Sequence, residues 1–291
     1  MSIDNYTGFV RYIDRVSGLF DKCDDDEILV FRGHSKKDFS CVPAILRKQE
    51  KPIAENGRSE SCAAHDIMIE YPQEFDRHDH LSCLVKMQHY GLETRLLDFT
   101  RNPLIALYFA CSLEPEFDGA VVVCKLKKNE IKHHSSDTVL CLASLPFLSS
   151  DDKETIRKYC ILNVHGILTE DAYIKNGAIH RLYHEIRSQY STFDFEIRAK
   201  DLLSSCFVAA NKDNDRMKNQ NGLFAIYGLD KITSQKNVES HIIANVEIPK
   251  GQKKKILEML EHFGFGENTI YPSLDRATAQ IYGKHYVYEK R

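Results

Sequence analysis

Between Asn102 and Leu113 the chain reads NPLIALYFACSL, a stretch without a single charged side chain. Asn102 can accept from the free amides of a first helical turn, and Pro103 at the first helical position forfeits no hydrogen bond, so a helix starts here. Leu104, Ile105, Leu107, Tyr108 and Phe109 then clothe that helix in apolar groups on nearly every side. Such a helix has no face to give to water and must be covered on more than one side. It is too short to cross a bilayer, and no run of about 18 apolar residues occurs elsewhere, so no membrane span is expected.

Strands to cover it are written nearby. Gly119 to Leu126 contains the run Ala-Val-Val-Val before charges resume, the pattern of a central strand. Ile28 to Phe31, Cys206 to Ala210, Gly222 to Tyr227 and His241 to Ile248 carry similar signals, and Pro249 stops the last. Helical spacing is seen in Phe9, Tyr12, Ile13, Val16 and Phe20, again from His65 to Phe75, and in Leu81, Leu84, Val85 and Gln88, where Gly91 ends the helix. It returns in Ile256, Leu257, Leu260 and Phe263, and a final helix is expected from Asp275 to Tyr282. The stretch 47–63 reads as a polar loop, and 127–203 as a charged helical insertion or a cap over the sheet. Strands separated by helices, without strict alternation, predict an α+β fold: a mixed sheet core with packed helices and a helical insertion. The expected division is an N-terminal helix and acidic turn over 1–25, one main domain over 26–285, and a tail over 286–291.

Charge excludes some partners. Thirty-nine basic against 42 acidic residues leave a net charge of −3, which does not suit a surface built to coat nucleic acid. The opening residues include acidic side chains and lack a long apolar core, so no signal peptide is expected. Nine cysteines include no CxxC pair, and several lie inside apolar runs; buried free thiols in a reducing cytoplasm account for them. Neither the alternating His78 and His80 nor the adjacent His133 and His134 has companions at zinc spacing, HExxH is absent, and no metal is predicted. Walker and GxSxG motifs are also missing. Lys253-Lys254-Lys255 is expected to be a solvated helix face.

Four segments place polar groups where they are costly. Arg32-Gly33 directly follows a buried strand, so Arg32 either pairs with an internal carboxylate or turns its guanidinium to a cleft that holds a phosphate or carboxylate. Gly33 would permit close backbone approach. The segment from Gln88 to Thr100 crowds polar groups between two helices: Arg95 and Asp98 could form a structural clasp, Thr94 and Thr100 either present hydroxyls or cap turns, and His89 suits holding a substrate. Gln220 precedes a strand in which Phe224 packs the core. Gly264 and Gly266 release the chain before Glu267, whose carboxylate either acts as a functional anion or satisfies loose amides.

At these segments the chain resembles the FRG domain family, named for a Phe-Arg-Gly motif, here Phe31-Arg32-Gly33. The longer match is Gln88-His89-Tyr90-Gly91, Thr94-Arg95-Leu96-Leu97-Asp98, Asn102-Pro103 and Ala106-Leu107-Tyr108-Phe109, with Gln220, Gly222, Phe224, Pro272, Leu274 and Asp275 as later landmarks. Glu93 and Phe99 stand where members commonly have Pro and Trp. Members occur in bacteria and phages, some near defence or toxin-like genes. The strand-end Arg followed by Gly is also similar to the first motif of Arg-type ADP-ribosyltransferases. That likeness implies an NAD-binding protein that cleaves the nicotinamide–ribose bond, with a protein, nucleic-acid or water acceptor. By analogy Arg32 orients NAD, His89 or Thr94 sits beside the nicotinamide ribose, Phe31 or Tyr90 offers an aromatic wall, Gln220 joins the ligand-binding set, and Glu267 is the catalytic carboxylate. Arg95, Asp98, Thr100, Phe224 and Asp275 would be scaffold. A non-catalytic nucleotide or nucleic-acid sensor and a structural or protein-interaction module are the other two readings.

Overall fold

The computed structural model describes residues 7–47, 60–75, 79–194, 197–209 and 222–270, with backbone alone for 170, 171 and 268. Helix α1 (Thr7–Phe20) leads to strand β1 (Glu27–His34), then α2 (Ala44–Arg47), α3 (Glu60–Glu70), α4 (Pro72–Phe75) and α5 (His80–His89). Strand β2 (Leu96–Thr100), helix α6 (Pro103–Ser112), β3 (Gly119–Lys127) and β4 (Ile131–His133) follow. A helical stretch contains α7 (Asp137–Ser144), α8 (Ser150–Leu162), α9 (Glu170–Lys175), α10 (Gly177–Gln189) and α11 (Ala199–Leu203), with a two-stranded sheet of β5 (Ile167–Leu168) and β6 (Ile197–Arg198). The chain then returns through β7 (Cys206–Ala209), β8 (Gly222–Ile226), α12 (Lys231–Glu239), β9 (Ile242–Ile248), α13 (Lys250–His262) and α14 (Glu267–Ile270). This is the α+β architecture expected. The helix predicted from Asp275, the landmarks Pro272, Leu274 and Asp275, the tail over 286–291 and Gln220 lie outside the described residues.

Seven strands form one mixed sheet in the order β4-β7-β8-β2-β1-β3-β9. The β4–β7 pair is parallel and the others are antiparallel. Alternation divides the side chains cleanly. Leu29 and Phe31 of β1, with Val121 and Val123 of β3, pack on one face beneath α1, α6 and α13. On that same face, Leu96, Phe224 and Val208 join the core formed with α5, α7, α10 and α11. The opposite face holds Val30, Leu97, Phe99, Val122, Leu223 and Tyr227 and is closed by Cys41, Val42, Leu46 and Val238.

Helix α6 is buried as its composition requires, with Leu107, Ala106 and Ala110 fully enclosed. Asn102 accepts from the Leu104 amide at 2.9 Å and Pro103 opens the helix. It lies flat on the sheet because two glycines make room. A Cβ at Gly33 would stand 2.1 Å from the Ala106 carbonyl oxygen, and one at Gly119 would stand 2.4 Å from that of Ala110. Gly33 is therefore used for helix-on-strand packing, inside a strand that continues to His34 rather than in a turn.

Two further expectations change. Helix α3 begins at Glu60, within the stretch read as loop, because its first residue is drawn inward by cations of other elements. Lys253, expected to be solvated, is only 2% exposed, and its ammonium donates to the carbonyls of Ser35, Leu113 and Glu114. All nine cysteines are free, and most are buried. Among the described residues no helix is long and apolar enough to cross a membrane.

Candidate functional site

The two central strands barely touch. Strand β1 pairs with β3 along its whole length, from Glu27 opposite Lys127 to His34 opposite Ala120, and β2 pairs with β8 from Leu96 to Thr100. Between β1 and β2 the ladder has one register pair, Phe31 opposite Thr100. Beyond it the strands part, so the sheet consists of two halves joined at a single point. A parting between central strands exposes backbone groups that a continuous ladder would have paired.

Arg32 spans this parting. Its Nη1 donates to the Asp98 backbone carbonyl at 2.7 Å, while the nearest carboxylate oxygen, Asp98 Oδ2, is 4.0 Å from it. Its Nε donates to His34 Nε2 at 3.1 Å. The Arg32 side chain is 17% exposed and that of Asp98 62%, so the guanidinium is not sealed inside a protein-only ion pair.

His34 lies beside it, buried, and its pKa is pushed down to about 3, by burial first and then by the charges of Arg32 and Arg47; the Phe39 backbone opposes this weakly. Because Nε2 accepts from Arg32, the proton of the neutral ring belongs on Nδ1, which is buried. Arg47, at the end of α2, has its own pKa lowered, by burial and then by Arg32, with Glu93 acting the other way. Its guanidinium lies 6.0 Å from the centre of the Phe39 ring, and the Lys36 ammonium lies 5.8 Å from it. The Lys36 ammonium is paired with Glu114 at 3.3 Å, so the two guanidiniums supply the positive surround at the end of β1, which suits an anion.

On the other lip of the parting, Asp98 is held by a short relay. The Thr94 hydroxyl accepts from the Leu96 amide at 3.2 Å and donates to Gln88 Oε1 at 2.5 Å. That contact fixes the Gln88 amide, whose Nε2 donates to Asp98 Oδ2 at 2.7 Å. Gln88 comes from the last turn of α5, which the Tyr90 cap and Gly91, at φ +90°, bring to an end.

The expected Arg95–Asp98 clasp does not form. Strand β2 turns alternate residues to opposite faces, and Arg95 at its entry goes instead to Glu60, with Nη2 to Oε2 at 2.6 Å and Nε to Oε1 at 2.9 Å. Lys153 of α8 reaches the same carboxylate at 2.9 Å. Burial alone would raise the Glu60 pKa, but Arg95 and Lys153 more than offset it and hold it down at about 2. Arg95 Nη1 also donates to the carbonyls of Tyr227 and Gly228 at 3.1 and 3.3 Å, so this cluster ties α3, α8, β2 and the end of β8 together.

The remaining sequence candidates fall in different places. Thr94 is 4% exposed and acts behind Asp98 rather than at the surface. Tyr90 is 62% exposed, and His89 packs edge-on against it with ring centres 5.2 Å apart. Thr100 is buried and accepts from the Asn102 amide at 3.0 Å. Phe224 packs in the core. Glu267 is exposed and begins α14, whose Ile270 belongs to the core under α6 and α13. That core lies on the face to which Phe31 points, whereas Arg32 leaves β1 on the other side.

Sequence reasoning missed Gln88, His34, Arg47 and Glu60 as members of these clusters. Gln88 carried a signal, being one of the polar residues in the last turn of its helix, whereas the other three become visible only through tertiary contacts. Among the described residues no group of three or more His, Cys, Asp or Glu side chains is arranged to hold a metal.

Comparison with curated proteins and with solved structures gave no match. Residues 27–119 match the model of the FRG domain family. That span runs from the start of β1 to the first residue of β3 and includes Arg32, His34, Gln88, Thr94 and Asp98, the residues that border the parting.

Proposed function

We propose that the parting between β1 and β2 binds a nucleotide through its phosphates, with NAD the first candidate. The observation that carries this reading is the state of Arg32: a guanidinium in a solvent-reachable parting, bonded to a neutral carbonyl and a neutral imidazole, with its nearest carboxylate oxygen at 4.0 Å. A cation so placed has donor capacity for a phosphate, and a planar fork engages two oxygens at once. Arg47 adds to the local positive field. The protein then belongs with ADP-ribosyltransferase-like NAD binders, and a role in bacterial defence or toxicity follows from the family resemblance. A reducing cytoplasm suits its nine free thiols.

Cleavage of the nicotinamide–ribose bond would need a fixed carboxylate near the charge developing on the ribose. Glu267 begins a helix whose Ile270 packs in the core of α6 and α13, and the second reading is that the nucleotide is bound without turnover. One experiment addresses both: the purified protein is titrated with NAD while free nicotinamide is followed. Saturable NAD binding weakened roughly 10-fold or more by Arg32→Lys supports the site, because an ammonium cannot reproduce the bidentate fork. Absence of binding refutes it. Nicotinamide release lost in Glu267→Gln would restore that carboxylate to catalysis, and labelled NAD would then identify a protein, nucleic-acid or water acceptor.

A further inference from the structure

The geometry points to Asp98 as the residue that reads the sugar: resting on the nucleotide reading above, its carboxylate accepts hydrogen bonds from a ribose diol while Arg32 holds the adjoining phosphate. Asp98 is the exposed acid on the lip of the parting, and only one of its oxygens is engaged, Oδ2 by Gln88 at 2.7 Å. Oδ1 carries no hydrogen bond among the described residues. The carboxylate is nevertheless fixed. Leu96 N–H commits the Thr94 oxygen as an acceptor, so the Thr94 proton goes to Gln88 Oε1 and the Gln88 amide has to present its N–H to Asp98. A side chain held from behind, with its free oxygen turned outward, is a preorganised acceptor.

The ligand class follows from the two charges together. A metal cation drawn to Asp98 would meet the Arg32 guanidinium close by, and an anion placed on Asp98 itself would be repelled. A neutral donor satisfies the carboxylate, and an anion satisfies the guanidinium. With the two groups 4.0 Å apart, both demands are met by one molecule that carries hydroxyls within a few bonds of a phosphate, which is the chemistry of a ribose phosphate. Gln88 and Thr94 are then positioning residues, acting on the ligand through Asp98.

The test compares two probes on the full chain: NAD, and an NAD analogue in which both riboses lack their 2′ and 3′ hydroxyls. A hydrogen bond to a charged acceptor distinguishes such a pair by roughly 10-fold or more. The unaltered protein is expected to prefer NAD by that factor, and Asp98→Asn, nearly the same in shape and at an exposed position, to bring the two probes to within about 3-fold of each other. Gln88→Ala should give a ratio between these, and Arg32→Lys should weaken both probes while leaving the ratio intact. Melting temperatures establish that each variant is folded. If the protein binds NAD but Asp98→Asn keeps the full preference, Asp98 does not read the sugar, and nucleotide binding stands without it. If the unaltered protein binds neither probe, the nucleotide reading and this assignment fall together.

Discussion

Arg32 and Asp98 meet through the wrong atoms for a salt bridge: Nη1 of the arginine lies 2.7 Å from the backbone carbonyl of the aspartate and 4.0 Å from its carboxylate. A surface pair at that longer separation contributes little to stability. The carbonyl bond instead closes part of the gap that opens where β1 and β2 stop pairing, and it leaves both charges facing the parting. A strand-to-strand hydrogen bond could have served stability as well, so the arrangement is better explained by what it exposes than by what it holds.

The relay behind Asp98 makes the first prediction. Thr94→Val preserves the shape of a buried side chain but removes the acceptor for the Leu96 amide and the donor for Gln88 Oε1. Two polar groups lose partners in a buried setting, at about 1–3 kcal/mol in total. Chemical denaturation should show that loss, whereas Thr94→Ser, which keeps the hydroxyl, should stay within about 1 kcal/mol of the parent. A valine variant as stable as the parent would mean the relay has no energetic role.

How much of this was legible depended on how local each cause is. Helix α6 and strand β3 announce themselves, because an all-apolar helix with an Asn-Pro start and a run of valines mean the same thing in nearly any context. Strand β2 did not: Leu96–Thr100 is five residues, interrupted by Asp98 and flanked by polar neighbours that mask its alternation. The polar segment was correctly singled out, but its pairings were not, since Arg95 finds Glu60 across 35 positions and Arg32 finds Asp98 across 66. Partners so distant leave no spacing to read. The likeness to a known family located the parting more closely than periodicity did, since Arg32 and the Thr94–Asp98 block lie on its two lips.

His34 supplies a pH dependence whose sign is fixed. Its folded pKa of about 3 is below the ordinary 6.5, so the unfolded chain takes up a proton that the folded one refuses. The stability tied to its neutral form is complete above about pH 6.5 and declines by about 1.4 kcal/mol per pH unit as acidity rises toward pH 3. Between pH 7.5 and 5.5 the protein should lose about 1.4 kcal/mol through this residue. The comparison is with His34→Gln, whose loss over that interval should be smaller by the same amount. Equal pH slopes for the two proteins would remove His34 as the cause.

Glu60 acts at lower pH. Replacing it by Gln leaves Arg95 and Lys153 facing a neutral amide in a buried site, which costs about 3–5 kcal/mol. The folded pKa of about 2 lies below the usual carboxylate value, so the contribution is present at neutral pH and is lost as pH falls from about 4.5 through about 2. Urea unfolding at pH 7 should therefore separate Glu60→Gln from the parent widely, and the separation should shrink on approach to pH 2.5. A constant gap would show that shape, not charge, sets the effect.

Lys253 is the case in which a run of three lysines conceals one that is not at the surface. Its ammonium donates to Ser35 O at 2.7 Å, Glu114 O at 3.0 Å and Leu113 O at 3.1 Å, using all three of its protons. Those carbonyls belong to the turn after β1 and to the chain leaving α6, where Glu114 adopts φ +49°, so one side chain from α13 fastens the two elements that carry Gly33 and its helix. Lys253→Met keeps the aliphatic stem and deletes the donors, at about 3 kcal/mol, with partial relief wherever water can replace the ammonium. Lys253→Arg should fail as well, since a planar fork cannot address three carbonyls converging on one point. The adjacent, exposed Lys254→Met should change stability by no more than about 0.5 kcal/mol. Thermal melts of the three variants decide the matter: if Lys253→Met and Lys254→Met behave alike, the carbonyl cluster does not depend on the ammonium, and the fastening of α13 to the end of β1 must be sought in the apolar packing of Ile256 and Leu260.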